Sequence, residues 1–348
     1  MTYETPESRR RAVRNAADTL RASRQTILTT HLNADGDGAG SQIAIAAWLR
    51  ANGTRAFIVN PTPFPDLFRF LLPDPSWVVD AGSAESKRIA DRADLAVVLD
   101  TGEIPRIGRV KPIIEHLTTV VIDHHPSNDQ PIGGVSLRDP GACATGELVY
   151  DVLMATGGPW PDAAMLGIYV AILTDTGSFR FSNSTPAAHR IAAALVEAGV
   201  EPEEVHRHVY GAAPLKRFRL LEASLATLQA EDGVAWMIVP RRAFDDLGAT
   251  SDDLEGLVDY PRAVEGTEVA LLFRQTSLGT KVSFRATGTV DVNLLAREFG
   301  GGGHVKASGA LLQGAPDDVV PRVVAASKAA VRRVRPEAPA ARDRATGS

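Results

Sequence analysis

An α/β fold is predicted: an N-terminal doubly wound parallel sheet, a helical connector, and a smaller mixed α/β unit at the C-terminal end. Three observations predict it. Short runs of β-branched and aliphatic residues alternate with helical patterns through the first half of the chain, as β-α-β units require. The order of strand and helix patterns changes near residue 230. Of the 348 residues, 44% are hydrophobic and 23% charged, the profile of a globular chain long enough for two cores.

Taken in order, the N-terminal stretch MTYETPESRRRAVRNAADTLRAS reads as a polar cap and an amphipathic helix, without the apolar centre of a signal peptide. QTILTT (25–30) is a buried strand, followed by the glycine-rich loop HLNADGDGAGS (31–41) and the helix GSQIAIAAWLRANG. RAFIV (55–59), LAVVLD (95–100) and TTVVIDHH (118–125) are further strands, and ATGELVYDVLMATG (144–157) and DAAMLGIYVAILTDTG (162–177) are long helices. Residues 186–229 are helical and charged. VAWMIVP (234–240), TEVALLFRQ (267–275), TKVSFRA (280–286) and SGALLQG are the strands of the second unit, with VDVNLLAREFG and PDDVVPRVVAASKAAVRRV as its helices. The boundaries read as 1–188, a connector at 189–229, 230–334, and a Pro/Ala/Arg-rich tail at 335–348 expected to be disordered.

The net charge of −5 implies no broad basic face, which argues against long duplex DNA and leaves room for a short phosphorylated ligand. No apolar run approaches the ~20 residues of a membrane span, so a cytoplasmic location without a membrane partner is expected. Cys143 is the sole cysteine, which excludes a disulfide framework within one chain and reads as a small buried hydrophobe.

The loop at 31–41 places His31, Asp35 and Asp37 among Gly36, Gly38 and Gly40. Calcium fails as its ligand: counted from Asn33, position 12 of an EF-hand would be Ala44 where the cage needs Glu. A dinucleotide loop fails because the third glycine would fall on Ser41. Two Asp two residues apart at a strand-to-helix turn can point at two different metals, and the imidazole favours Mn²⁺, Fe²⁺ or Zn²⁺ over Mg²⁺ or Ca²⁺. Asp-Gly pairs also make plain turns, and the loop alone does not choose. Three further segments do. VVLDTGE ends a strand with Asp100, VVIDHHPSN ends the next with Asp123, His124 and His125, and AILTDTGSFRFSNST closes an apolar helix with Asp175, with Arg180 five residues on. Four such ends with a carboxylate or imidazole are costly to bury unless they share a partner.

HLNADGDGAGS, LDTGE, IDHHPSN and LTDTGSFRFS, in that order and spacing, resemble the motifs of the DHH phosphoesterases. FGGGGHVKASGA (299–310) resembles the signature of their accessory C-terminal domain, and the length matches the short NrnA-type branch, nanoRNases that also dephosphorylate 3′-phosphoadenosine 5′-phosphate (pAp). The resemblance implies two divalent ions, Mn²⁺, one on His31, Asp35 and Asp100 and the other on Asp37, Asp100, His124 and Asp175. It implies that His125 touches the phosphate or the leaving oxygen and that Asp123 orients an imidazole. The chain departs from the first motif at Ala34, commonly Pro, and at Gly38, commonly larger, neither of them a ligand.

The chemistry implied is attack on phosphorus by a hydroxide bridging the metals. In the second unit Gly301, Gly302 and Gly303 would offer backbone N–H groups to an anion, and the resemblance implies that His304 and Arg285 hold a phosphate or nucleotide across the cleft between the domains, where the active site is expected. Arg180 and Arg262 are further substrate candidates, whereas His206 and His208 read as surface residues. Substrates implied are short single-stranded RNA and small nucleotides, with cyclic di-AMP or linear pApA as the rival and a non-catalytic nucleotide sensor as the reading from another class. A homodimer is compatible with the habit of the relatives.

Overall fold

The structure, a computed structural model, describes residues 3–126, 130–158, 160–211, 213–254 and 256–334. The tail at 335–348, and Ser127 and Asn128 of the third motif, lie outside the described residues. The chain forms two compact units, residues 1–212 and 213–348.

In chain order the first unit carries α1 (Arg10–Ala22), β1 (Gln25–Thr29), α2 (Gly36–Ala51), β2 (Arg55–Ile58), α3 (Ala84–Ala90), β3 (Leu95–Leu99), α4 (Lys111–Ile114), β4 (Thr118–Asp123), β5 (Val135–Arg138), α5 (Thr145–Thr156), α6 (Asp162–Asp175), α7 (Pro186–Glu197) and α8 (Pro202–Val209). Its five strands are all parallel, in the order β2-β1-β3-β4-β5. Successive strand residues alternate between two buried faces. Leu28, Val97, Leu99, Val120 and Ile122 pack with the helices α1, α2, α5 and α6, while Ile27, Ala96, Val98 and Val121 pack with residues of α3 and α4 on the other side. The chain steps outward from β1 to β2 and returns to β3 on the opposite flank of β1. Strand order therefore reverses between β1 and β3, which opens a crevice at their carboxyl ends.

The helices α2 and α6 touch backbone to backbone. A Cβ on Gly40 would sit 2.3 Å from the Gly167 carbonyl oxygen, and one on Gly167 would sit 2.5 Å from that of Gly40. Near the start of α2, a Cβ on Gly36 would meet Thr174 Oγ1 at 2.4 Å. The first turn of α2 and the last of α6 are thereby held side by side.

In the second unit α9 (Leu215–Leu225), β6 (Gln229–Glu231), β7 (Val234–Val239), α10 (Arg241–Asp246), α11 (Asp259–Arg262), β8 (Val269–Thr276), β9 (Gly279–Ala286), α12 (Val292–Arg297), β10 (Gly302–Gly303), β11 (Ala307–Leu312) and α13 (Pro316–Val334) follow. The sheet order is β10-β11-β9-β8-β7-β6, antiparallel except for the β7/β8 pair. One face buries Leu271, Phe273, Val282 and Phe284 under α12 and α13, and the other buries Met237, Ala270 and Leu272 with residues of α9 and α10.

Two differences from the sequence reading bear on the site. The helix expected from Gly40 begins at Gly36, because Asp35 caps it and accepts from the Asp37 and Gly38 amides at 3.1 Å each. The fifth strand, VSLR, was not expected from its short mixed pattern. Of the helices read as a connector, α7 packs on α5 and α6, and α9 packs on β7. No helix among the described residues is long and apolar enough to cross a membrane.

Candidate metal centre

Each candidate side chain sits where a regular element stops. His31 follows β1, Asp100 follows β3, and Asp123 closes β4 ahead of His124 and His125. Asp35 and Asp37 open α2, and Asp175 is the last residue of α6. The turns are sharp: Asn33, Asp100, Ser178 and Phe179 have φ of 56°, 59°, 60° and 61°. Left-handed backbone costs a non-glycine residue roughly 1–2 kcal/mol, least for Asp and Asn. At Asp100 that turn carries a carboxylate straight off a fully buried strand.

The side chains converge in three overlapping groups: His31, Asp35 and Asp100; Asp37, His124 and Asp175; and Asp100, His124 and His125. Within each group one donor atom per residue lies within 4.8 Å of the others. Hydrogen bonds fix which atoms face inward. His31 Nδ1 is 2.9 Å from the Leu32 carbonyl, which can only accept, so Nδ1 carries the proton. Its Nε2 therefore faces Asp100 Oδ2 at 3.2 Å and Asp35 Oδ2 at 3.8 Å, free to take a metal in place of a proton. His124 Nε2 stands 3.7, 3.7 and 3.8 Å from carboxylate oxygens of Asp37, Asp100 and Asp175, too far for hydrogen bonds. Imidazole nitrogens and carboxylate oxygens converging over such gaps are what a shared divalent ion needs from its ligands, and the N/O donor set suits Mn²⁺, Fe²⁺ or Zn²⁺.

The electrostatics favour positive charge at these groups. Burial, then the charges of Asp37 and Asp35, raise the Asp100 carboxyl well above its usual range. Burial and Asp37 push Asp175 up to about 7, against the pull of His124. Burial also raises Asp37. Burial opposes protonation of the imidazoles, yet the carboxylates win: His31 rises to about 10 through Asp100 and Asp35, and His124 to about 9 through Asp37, Asp100 and Asp175. Protons are thus drawn to the sites where cations would sit.

Beside this centre, Asp123 Oδ1 accepts from His125 Nδ1 at 2.8 Å and from its amide at 3.1 Å, which fixes that ring. Five polar contacts came from four residues the sequence reading passed over. The Thr145 and Gly146 amides donate to Asp37 at 2.6 and 2.9 Å, and the Ser41 hydroxyl to the same carboxylate at 3.2 Å. The Thr145 hydroxyl donates to Asp100 Oδ1 at 3.0 Å, and Asn183 Nδ2 to Asp175 Oδ2 at 3.2 Å. Backbone amides give no sign in residue type, although Asn183 lay within the quoted motif. Arg180 is exposed on the loop after α6, its Nε donating to the Gly177 carbonyl at 2.7 Å.

The other candidates belong to the second unit. Arg285 lies on β9 opposite Ala307 and lines a cavity of about 180 Å³ with Arg274 and Lys281. Burial and the Arg274 charge lower the Lys281 pKa. His304 is exposed at a turn closed by its own amide donating to the Ala307 carbonyl at 2.7 Å. Arg262 ends α11 and contacts Asp259 at 3.2 Å. The glycine run requires a correction. The Gly300, Gly301 and Gly303 amides donate to Arg297 O, Ala296 O and Asn293 Oδ1, so these N–H groups are already committed. The run serves close packing: a Cβ on Gly301 would fall 2.1 Å from the Gly309 carbonyl.

Residues 25–172 match the DHH family, N-terminal domain, and residues 233–333 match the DHHA1 domain. The chain is 34% identical over 306 residues to the bifunctional oligoribonuclease and PAP phosphatase NrnA of Thermus thermophilus, spanning 87% of this chain and 89% of that protein. It is 28% identical over 291 residues to the protein of the same name from Bacillus subtilis, spanning 82% and 88%. Among solved structures it is similar in fold to an exopolyphosphatase-related protein from Bacteroides fragilis, with a TM-score of 0.84, 22% identity and coverage of 93% and 96%. It is also similar in fold to RecJ from Thermus thermophilus in complex with Mn²⁺, with a TM-score of 0.54, 15% identity and coverage of 93% and 55%.

Proposed function

The chain belongs to the DHH family, and from that premise we propose that it is a Mn²⁺-dependent phosphoesterase acting on short oligoribonucleotides and on pAp, releasing nucleoside 5′-monophosphates and AMP. The observation that carries this reading is the convergence of imidazoles and carboxylates on Asp100, with His31 Nε2 at 3.2 Å and His124 Nε2 at 3.7 Å from its two oxygens. The relatives named for both activities supply the substrate class, and the Mn²⁺ of the RecJ structure supports the choice of ion.

On this reading His31, Asp35 and Asp100 hold one ion and Asp37, Asp100, His124 and Asp175 the other. Bound there, the ions would supply a water deprotonated near neutral pH and neutralise charge growing on the phosphoryl oxygens. His125, oriented by Asp123, would meet the phosphate or hand a proton to the leaving oxygen. His304, Arg285, Arg262 and Arg180 would hold the rest of the substrate. Cys143 is no rival nucleophile, since it is fully buried and burial drives its thiol pKa up.

The test is turnover with Mn²⁺ and with EDTA, on RNAs of two, five and twenty-four nucleotides, pAp, linear pApA and cyclic di-AMP. Mn²⁺-dependent cleavage of the short RNAs and pAp, with the long RNA spared, is expected. Preference for cyclic di-AMP or pApA alone would move the substrate class, and no turnover of any would leave a nucleotide sensor. His304→Ala is expected to raise KM about tenfold or more, the loss of a charged contact, with Mn²⁺ binding intact. A large loss of bound Mn²⁺ in that variant would contradict the role given to His304.

A further inference from the structure

We propose that Thr145 is a positioning residue that ties the two halves of the candidate metal centre together. The inference rests on the two-ion reading above. Thr145 is fully buried at the first position of α5, far in sequence from every motif residue it touches. Its amide donates to Asp37 Oδ2 at 2.6 Å, and its hydroxyl to Asp100 Oδ1 at 3.0 Å. A carboxylate only accepts, so the hydroxyl proton must point at Asp100. One residue therefore contacts a carboxylate of the His124 group and the carboxylate that both groups would share.

The hydroxyl matters more once ions are bound. Among the described residues, His31 and Thr145 are the side chains within hydrogen-bond distance of the Asp100 carboxylate. An imidazole that gives its Nε2 lone pair to a metal donates nothing from that atom, which leaves Thr145 as the donor fixing the rotation of Asp100. Partners of this kind, one bond away from the ligands, typically change metal affinity 10–100-fold.

Thr145 is itself held from outside the centre. Glu147, one residue beyond Gly146, accepts from the Cys143 amide at 2.9 Å and from buried Arg9 at 2.6 Å. A Cβ on Gly146 would fall 2.5 Å from the Ala171 Cβ, so α5 lies tight against α6. The hydroxyl is thus presented from a fixed backbone.

The test compares the parent protein with Thr145→Val, which keeps shape and the backbone amide but lacks the hydroxyl, and with Thr145→Ser, which restores it. Mn²⁺ binding is titrated by the electron paramagnetic resonance signal of free aquo-Mn²⁺, and unfolding of the EDTA-treated proteins is followed alongside. Thr145→Val is expected to bind Mn²⁺ roughly 10–100-fold more weakly, with metal-free stability close to the parent and rescue by Thr145→Ser. At saturating Mn²⁺ its kcat falls while KM stays. Two ions bound by Thr145→Val as tightly as by the parent would overturn the assignment while leaving the two-ion reading intact. A parent that binds fewer than two ions would overturn that reading, and this inference with it. Should Thr145→Val fail to fold, Thr145→Ala carries the same comparison.

Discussion

Arg9 and the carboxylates around it form one buried charged cluster in the first unit, and the carboxylates and imidazoles around Asp100 form another. Around Arg9 every carboxylate oxygen has a donor. Asp151 takes Arg9 Nε at 2.7 Å, Tyr3 Oη at 2.9 Å and Thr5 Oγ1 at 2.6 Å. Glu147 takes Arg9 and the Cys143 amide, and Asp139 takes Arg9 at 2.9 Å and the Gly141 amide at 2.9 Å. Around Asp100 the ion-pair partners of Asp35, Asp37, Asp100 and Asp175 among the described residues are histidines, with His124 Nε2 3.7–3.8 Å from three of the carboxylates. Both clusters hold buried acids, and burial raises the pKa of Asp151 as well as of Asp100. The difference is the counter-charge, a guanidinium at the centre of the first cluster. A cluster that holds the fold is satisfied from within, whereas one that binds is left short of positive charge.

The largest effect expected is from Asp100→Asn, which removes the carboxylate common to both groups. Turnover on every substrate should fall at least about a thousandfold, the loss of several kcal/mol of charge stabilisation. Retained turnover would break the comparison.

Arg9→Met is the converse experiment. It strands buried Glu147 and Asp151, and breaking a buried pair this way costs about 3–5 kcal/mol, to be read by denaturant unfolding. An unchanged midpoint would mean that the Arg9 cluster contributes no more than a surface pair.

The third effect is a pH dependence that appears only without metal. Asp175 stands at about 7 in the folded protein, against an unfolded value near 4. His31 and His124 stand at about 10 and about 9, against about 6.5 unfolded. A group whose folded pKa is raised stabilises below its unfolded pKa and loses that contribution as pH rises through the folded one. EDTA-treated protein should therefore lose melting temperature from about pH 4 to 7 through Asp175 and from about pH 6.5 to 10 through the imidazoles. Saturating Mn²⁺ should flatten the curve, and an equal slope with and without Mn²⁺ would count against a cation deficit.

The smallest effect sharpens the role of burial. Arg69 and Asp66 pair at 2.6 Å, closer than Arg9 to Asp139, but their side chains are 60% and 83% exposed. Arg69→Ala should shift stability by less than about 1 kcal/mol, measured by the same denaturant unfolding as Arg9→Met.

The contrast between these clusters follows what could be read before folding. The residues around Asp100 were legible because their types are costly where they occur: an Asp after Val-Val-Leu, a His pair after Val-Val-Ile-Asp, an Asp closing an apolar helix. The Arg9 cluster was not legible, since Arg9 sits in a run of three arginines that reads as solvated. His208, read as a surface residue, is 36% exposed, and its ring also stacks on Phe70 with centroids 4.5 Å apart.

By itself the sequence determined which atoms can do the chemistry, because donor type is a property of the side chain, and it set the order of strands and helices, because hydrophobic period is local. Only the tertiary structure decided how those donors are held. The amides that grip Asp37 come from 108 and 109 residues away, and Arg9 meets its acids across 130 to 142. It also committed the Gly301 and Gly303 amides, which by residue type are open to an anion. A backbone N–H is the same in every residue but proline. Where each one points is set by packing between distant segments and leaves no trace in the identity of the residue that carries it.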